Sequence, residues 1–460
     1  MSKNNDKKKT IVITYGTYDM LHVGHINILK RAKALGDYLI VGVTSEDYDR
    51  SRGKLDVYQN TQKRVRAIEK LGFVDEVIVE RQKNQKAEDM VEYNVDIFAI
   101  GDDWVGKFDY LKEFTNVQYL PRTEGISSTE LREEKLETIS LGIIGLGRDT
   151  CRFLNEAKHV PAIMPTSIYD NDKKIVSKFM KKAPIKEGYD DFDAFLKGPI
   201  DAVFVDSSID RHYNHISKSL KAGKHVLAEH PLALEKDELE ELIALAKKHD
   251  RLLLSALKTA FLPAFCQLLE QLDDGVIGEI KEVRATFTSL YKEKHYPDTF
   301  LKQGATNTLL SYPALIVRKV LGERQSVTFF DQKKDGYDYS NRAITIHKNQ
   351  TLGLSTVATG MKSEGAATIS GTKGYVYIPA PWWLTKVFHF RFEDPNKSFT
   401  FQYEFEGCGL RYMISEFASL IQRGKTKSER LTMEDILDIN DLIVEYNEYS
   451  KQNPDGVSST

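Results

Sequence analysis

His22 and His25 lie in the run Thr17-Tyr18-Asp19-Met20-Leu21-His22-Val23-Gly24-His25, between an apolar strand and an amphipathic helix. Imidazoles at positions i and i+3 share one helix face, so both can point at one phosphate. The helix N-terminus beneath them adds unpaired N–H donors and a partial positive charge. Such a set suits transfer of a nucleotide. Gly16 allows a sharp turn at the end of the first strand, where open α/β sheets bind ligands. Gly101-Asp102-Asp103-Trp104 closes a later strand; a carboxylate there could hold a cation or a polyol hydroxyl, and Trp104 could wall the pocket. Arg122-Thr123-Glu124-Gly125-Ile126-Ser127-Ser128-Thr129 then runs into a helix over 130–135. Hydroxyls and N–H groups at a helix start, with an arginine nearby, form an anion site suited to a polyphosphate. Plainer readings stand beside these: a packed or capping histidine pair, a turn at the acidic pair, and a capping box at Ser127 and Glu130. Convergence on one end of one parallel sheet favours the ligand.

A second constellation begins at Gly145-Leu146-Gly147-Arg148-Asp149-Thr150, which follows a strand and opens a helix, as a dinucleotide fingerprint should. Thr150 stands where the third glycine of that fingerprint is usual. Asp170, about 20 residues on at a strand end, is placed to bind ribose hydroxyls of NAD. Lys173 and Lys174 could instead meet the 2′-phosphate of NADP.

The elements that must position these groups are legible in the hydrophobic pattern. Residues 10–16 form a buried-type strand, and a helix over 25–35 follows. Strands at 38–44, 76–80, 96–101 and 117–120 alternate with helices, which argues for a parallel, doubly wound sheet. The pattern restarts at 139–147 and continues through 225–228. From residue 279 long alternating segments at 280–290, 342–347 and 352–359 point to a mainly antiparallel sheet, closed by helices over 413–422 and 434–449.

The chain has 460 residues, 41% hydrophobic and 28% charged, with net charge −3. These are values of a globular protein of several domains, and they offer no basis for binding nucleic acid. No apolar run is long enough for membrane insertion. Cys151, Cys266 and Cys408 are scattered without metal-ligand spacing, and a cytoplasmic setting follows. The expected division is a polar tail over 1–9, an α/β domain over 10–136, a Rossmann domain over 137–260 and an α+β domain over 261–452.

Residues 10–135 resemble the glycerol-3-phosphate cytidylyltransferase family, within the nucleotidyltransferases that carry a His-x-Gly-His signature. Tyr15-Gly16-Thr17, His22-Val23-Gly24-His25, Gly101 to Asp109 and Leu120 to Ser127 carry the resemblance. It implies CMP transfer from CTP, with Mg²⁺, to a glycerol phosphate-like polyol phosphate, releasing pyrophosphate. His22 and His25 would stabilise charge at the α-phosphate. Lys54 and Arg64 match phosphate-neutralising positions. Gly16, Thr17, Tyr18, Asp102, Trp104, Arg122, Thr123, Ile126, Ser127, Ser128 and Thr129 would bind the substrates. Val23 replaces the tryptophan common between the two histidines.

Residues 139–450 resemble the Gfo/Idh/MocA oxidoreductase family through Gly145-Leu146-Gly147, Ala222 to Ala233 and Ile369 to Gly374. The resemblance implies a Rossmann domain binding NAD or NADP, through Gly145, Gly147, Arg148, Asp170 and Glu229, joined to an antiparallel-sheet domain. The family's Glu-Lys-Pro is Glu229-His230-Pro231 here, its later acid is Thr308, and Tyr312 keeps a proton-donor position. Two readings stay open. His230 and Tyr312 serve a reduction that makes the polyol phosphate, or the region binds a nucleotide or dimerises without turnover. Both families imply a homodimer, and the pairing points to CDP-polyol supply for a teichoic-acid-like or capsular polymer.

Overall fold

The computed structural model describes residues 9–52, 54, 57, 59–121, 138–146, 148–181, 185–290, 302–403 and 407–454. The chain forms two compact units, Met1–Leu136 and Glu137–Thr460.

In the first unit, strands β1 (Ile11–Gly16), β2 (Tyr38–Thr44), β3 (Glu76–Glu80), β4 (Ile97–Gly101) and β5 (Asn116–Leu120) build a parallel sheet ordered β3-β2-β1-β4-β5. Both faces are covered, which is why β1 reads as one apolar run rather than an alternation. Val12, Leu39 and Val41 pack against Leu29 and Ala32 on one face. Ile13, Tyr15 and Phe98 pack against Met90 and Leu111 on the other. Each fully buried aliphatic side chain contributes about 1.5–3 kcal/mol. Strand order reverses between β1 and β4, so Gly16 and Gly101 end neighbouring strands where a crevice opens.

The helix after β1 spans Val23–Lys33, two residues earlier than the pattern indicated, because His22 is its N-cap. Lys30, Arg31 and Lys33 in its last turn complement the negative end of the helix dipole.

In the second unit, β6 (Ile139–Ile144), β7 (Ile163–Tyr169), β8 (Glu187–Tyr189), β9 (Ala202–Val205), β10 (His225–Ala228) and β11 (Leu253–Ser255) form a parallel sheet ordered β11-β10-β9-β6-β7-β8. An eight-stranded sheet follows: β12 (Ile280–Thr288), β13 (Arg324–Lys334), β14 (Tyr337–His347), β15 (Leu352–Ala358), β16 (Ala367–Gly371), β17 (Gly374–Ile378), β18 (Val387–Phe392) and β19 (Phe399–Gln402). Its order is β13-β14-β15-β12-β16-β17-β18-β19, antiparallel except where β12 pairs with β15. The chain is thus α/β followed by α+β. Helix Leu410–Gln422 is tied back to helix Arg148–Ala157 by the buried Arg411–Glu156 pair at 3.0 Å. Asn440 bridges the Leu232 N–H and the Ala233 carbonyl, which fixes the chain just beyond β10.

Candidate active sites

The first site grows from the turn between β1 and its helix. Gly16 is required by packing rather than by backbone freedom, since a Cβ there would meet the Tyr18 ring at 2.9 Å. This replaces the sharp-turn argument drawn from the sequence; the left-handed residues are instead Tyr18 (φ 50°) and Met20 (φ 48°). Tyr18 is buried and presents its ring to the edge of His25 at 5.5 Å. Tyr18 therefore backs the histidine instead of facing solvent, and burial pushes its phenol up.

His22 and His25 stack at 3.8 Å between centroids, 20° from parallel. The His22 Nδ1 accepts the Gly24 N–H at 3.1 Å, which assigns the neutral ring's proton to Nε2. The Gly24 amide, expected among the unpaired donors, is thus held by His22. The cap orients one imidazole and the stack orients the other.

Around them runs a polar web. The Lys54 Nζ donates to the Thr17 Oγ1 at 2.9 Å, and the Thr17 hydroxyl lies 2.9 Å from the Asp49 Oδ1. Arg52 pairs with the same Asp49 oxygen at 2.7 Å. Burial lifts the Asp49 carboxyl, against the lowering effect of Arg52, Lys54 and Arg64. Arg64 departs from expectation. Its guanidinium is fully buried and donates to the carbonyls of Thr17 (2.6 Å), Thr44 (2.7 Å) and Gln59 (2.9 Å). It braces the loop beneath the site and does not present a surface charge to phosphate. The backbone N–H of Gln59 donates to Asp19 at 2.9 Å, closing the loop on the same turn.

Asp102 and Trp104 sit on a 3₁₀ turn directly after β4, both exposed, with the Lys107 ammonium 4.8 Å over the indole. Val23 is also exposed. Arg122, Thr123, Ile126, Ser127, Ser128 and Thr129 lie outside the described residues. Asp19, Asp49, Arg52 and Gln59 were missed by sequence reasoning, because their roles depend on contacts across the fold.

The second site lies at the ends of β6, β9 and β10. Gly145 has φ 88°, and a Cβ would lie 2.3 Å from the Asp206 carbonyl oxygen, so only glycine fits the turn. Its N–H donates to Tyr169 at 3.1 Å. Gly147 lies outside the described residues; Arg148 begins the helix, and its side chain is not described. Thr150 is buried, its hydroxyl between the Gly145 carbonyl (2.9 Å) and Asp206 Oδ2 (2.7 Å), its N–H donating to that oxygen at 2.8 Å. Burial pushes the Asp206 carboxyl up to about 7. Asp170 follows β7, where its Oδ1 accepts the Asp172 N–H at 2.9 Å.

Glu229 and His230 follow β10. Burial, then Asp206 and Asp149, raises the Glu229 carboxyl well above its ordinary range. The His230 Nδ1 lies 3.5 Å from Glu229 Oε2, and its ring meets Tyr312 edge-on at 4.9 Å. Burial, aided by His212 and Lys258, lowers His230 to about 3. The reading of His230 as a general acid titrating near neutrality is corrected: burial, with His212 and Lys258 nearby, keeps this imidazole neutral at pH 7. Tyr312 also contacts Phe287 at 5.3 Å, and Phe287 stacks on Trp383 at 3.7 Å. Thr308 returns its hydroxyl to the Gly304 carbonyl within its own helix. Asp206, Phe287 and Trp383 carried no local signal in the sequence.

Residues 13–134 match a family model described as cytidylyltransferase-like, and residues 139–257 one described as an oxidoreductase family with an NAD-binding Rossmann fold. Glycerol-3-phosphate cytidylyltransferase of Bacillus subtilis (strain 168) is 50% identical over 123 residues, covering 27% of this chain and 95% of that protein. The Staphylococcus aureus (strain NCTC 8325 / PS 47) enzyme of the same name is 46% identical, with 92% of it covered. Trans-1,2-dihydrobenzene-1,2-diol dehydrogenase of Xenopus tropicalis is 26% identical over 310 residues, 64% of this chain and 92% of that protein. A 3-ketoreductase from Actinomadura kijaniata, solved with TDP-benzene and NADP, superposes with TM-score 0.59 at 23% identity over 67% of this chain and 96% of its own. At that identity the match establishes the fold.

Proposed function

Since the chain belongs to the cytidylyltransferase-like family through residues 13–134, we propose that it transfers CMP from CTP to a small phosphorylated polyol and releases pyrophosphate. A phosphate oxygen of the polyol attacks the α-phosphorus of CTP. A new P–O bond forms as the bond to the β-phosphate oxygen breaks, and no covalent enzyme intermediate is needed. The observation that carries the reading is the stacked His22–His25 pair, with the His22 tautomer held by Gly24. Donors aimed at the α-phosphate before reaction stabilise charge that grows as the displacement proceeds. Lys54, on the Thr17 hydroxyl, is the cation for the acceptor or leaving phosphate. Trp104 flanks the nucleotide, and Asp102 takes a hydroxyl or the Mg²⁺ that accompanies CTP. Arg122, Thr123, Ile126, Ser127, Ser128 and Thr129 are assigned to the triphosphate and cytidine. Incubation with CTP, Mg²⁺ and glycerol 3-phosphate should release pyrophosphate. Silence with every polyol phosphate tried would defeat the reading.

For the second unit, the left-handed turn at Gly145, where a Cβ would strike the Asp206 carbonyl, fits the tight turn that opens a dinucleotide-binding loop. Gly145, Gly147, Arg148, Asp170 and Glu229 would hold NAD or NADP, which when bound supplies a hydride. Tyr312 is the residue assigned to move the proton at the substrate oxygen, and neutral His230 fixes its ring. The reduction would make the polyol phosphate that the transferase consumes, in the cytoplasm and in a homodimer, for a CDP-polyol polymer precursor. We assign transfer to 10–136, nucleotide binding to 137–260 and the substrate wall to 261–452. The neutral, buried His230 in the lysine position favours a second reading, a nucleotide-binding module without turnover. Nicotinamide absorbance with a panel of phosphorylated ketoses and aldoses decides between them; no oxidation of the nucleotide despite its binding supports the module.

A further inference from the structure

Beneath the exposed aromatic segment that follows β4 lies a buried ion pair used by neither site. Lys86, on helix Gln85–Glu92, pairs with Glu80 at the end of β3, and both are almost wholly buried. The Lys86 ammonium lies 4.6 Å over the Tyr15 ring and 5.6 Å over the Phe108 ring. Phe108 in turn touches Trp104 at 5.7 Å and Phe98 at 5.5 Å. On its other side Glu80 accepts the Thr44 hydroxyl at 2.8 Å. The Thr44 carbonyl and the Thr17 carbonyl share one nitrogen of Arg64, at 2.7 and 2.6 Å. An unbroken chain of contacts therefore joins Trp104 and Phe108 to Thr17, at the start of the histidine turn.

We propose that the Lys86–Glu80 pair is a positioning device for nucleotide transfer, holding the Trp104–Phe108 wall in register with the Thr17 turn so that CTP meets a preformed pocket. Taking both charges out of water is expensive, and replacing a buried pair by apolar residues is often neutral for stability. A hydrophobic pair in this position would pack against Tyr15 and Phe108 as well. What an apolar pair lacks is direction: Glu80 draws the ammonium to one point and Lys86 draws the electron-rich faces of Tyr15 and Phe108 to that same point.

This rests on the transferase reading, and steady-state kinetics of the full chain separates the two. Wild-type protein releasing no pyrophosphate with any polyol phosphate would defeat the reading itself. With active wild type, Lys86→Met should raise the KM for CTP about tenfold while kcat stays within about threefold. Lys86→Arg should recover most of the loss. The double variant Lys86→Met/Glu80→Leu, which leaves no orphaned charge, should keep the raised KM. Phe108→Leu, which leaves the pair intact and removes its contact with the wall, should raise it similarly and tests the idea even where the pair variants fold poorly. A wild-type KM in the double variant or in Phe108→Leu would overturn the proposal.

Discussion

The His22 imidazole stacks on His25 at 3.8 Å and at the same time accepts the Gly24 N–H at 3.1 Å through Nδ1. One short cap thus sets the tautomer, orients the ring and begins the helix that carries its partner. Substituting His22 by alanine should lower kcat for CMP transfer about 10²–10³-fold, the usual loss of one preorganised donor, with little change in the KM for CTP. Pyrophosphate release measures it; a variant within tenfold of wild type would contradict the role.

Gly16→Ala places a methyl 2.9 Å from the Tyr18 ring, which lies against His25. The ring must shift, at about 1–3 kcal/mol of overpacking, and the histidine it supports shifts with it. Thermal unfolding should show the destabilisation, and kcat should fall more than tenfold.

Gly145→Ala combines φ 88° with a Cβ 2.3 Å from the Asp206 carbonyl oxygen. Fluorescence titration with NADH and NADPH should show at least about tenfold weaker binding. Unchanged affinity in a folded variant would remove Gly145 from the nucleotide site.

Asp206 makes the stability of the second unit depend on pH. Its folded value is pushed up to about 7 by burial, above an unfolded value of about 4. The folded state therefore holds a proton that the unfolded chain releases, and this contribution is complete below about pH 4 and lost as pH rises towards 7. His230, lowered to about 3, has the opposite sign: its burial costs stability as pH falls below its ordinary value near 6.5. Asp206→Asn should match wild type near pH 4 and exceed it near pH 7 in denaturant melts. A constant difference across that range would disprove the titration.

Tyr312→Phe separates the two readings of the second unit. If Tyr312 moves the proton, turnover with NAD(P)H falls about 10²-fold or more while nucleotide binding persists. His230→Lys, at the same site, should raise turnover if the missing lysine is what limits it, since an ammonium beside Tyr312 favours the phenolate.

Much of this molecule could be read along the chain. The strands at 38–44 and 76–80 fall where apolar, β-branched runs put them, because strand preference is carried by the side chains of the segment itself. The histidine pair, Gly145 and Asp170 are likewise visible as types at fixed spacings. What spacing could not reveal is burial and direction. Arg64 reads as a cation for phosphate, yet the fold surrounds it with the carbonyls of Thr17, Thr44 and Gln59 and turns it into a brace. His230 reads as a titrating imidazole, yet burial beside Tyr312 disfavours its charged form. Lys86 and Glu80 carry no motif at all. A residue's chemistry is written in its side chain, but its charge state and its partners belong to the dielectric and the neighbours, which only the folded chain brings together.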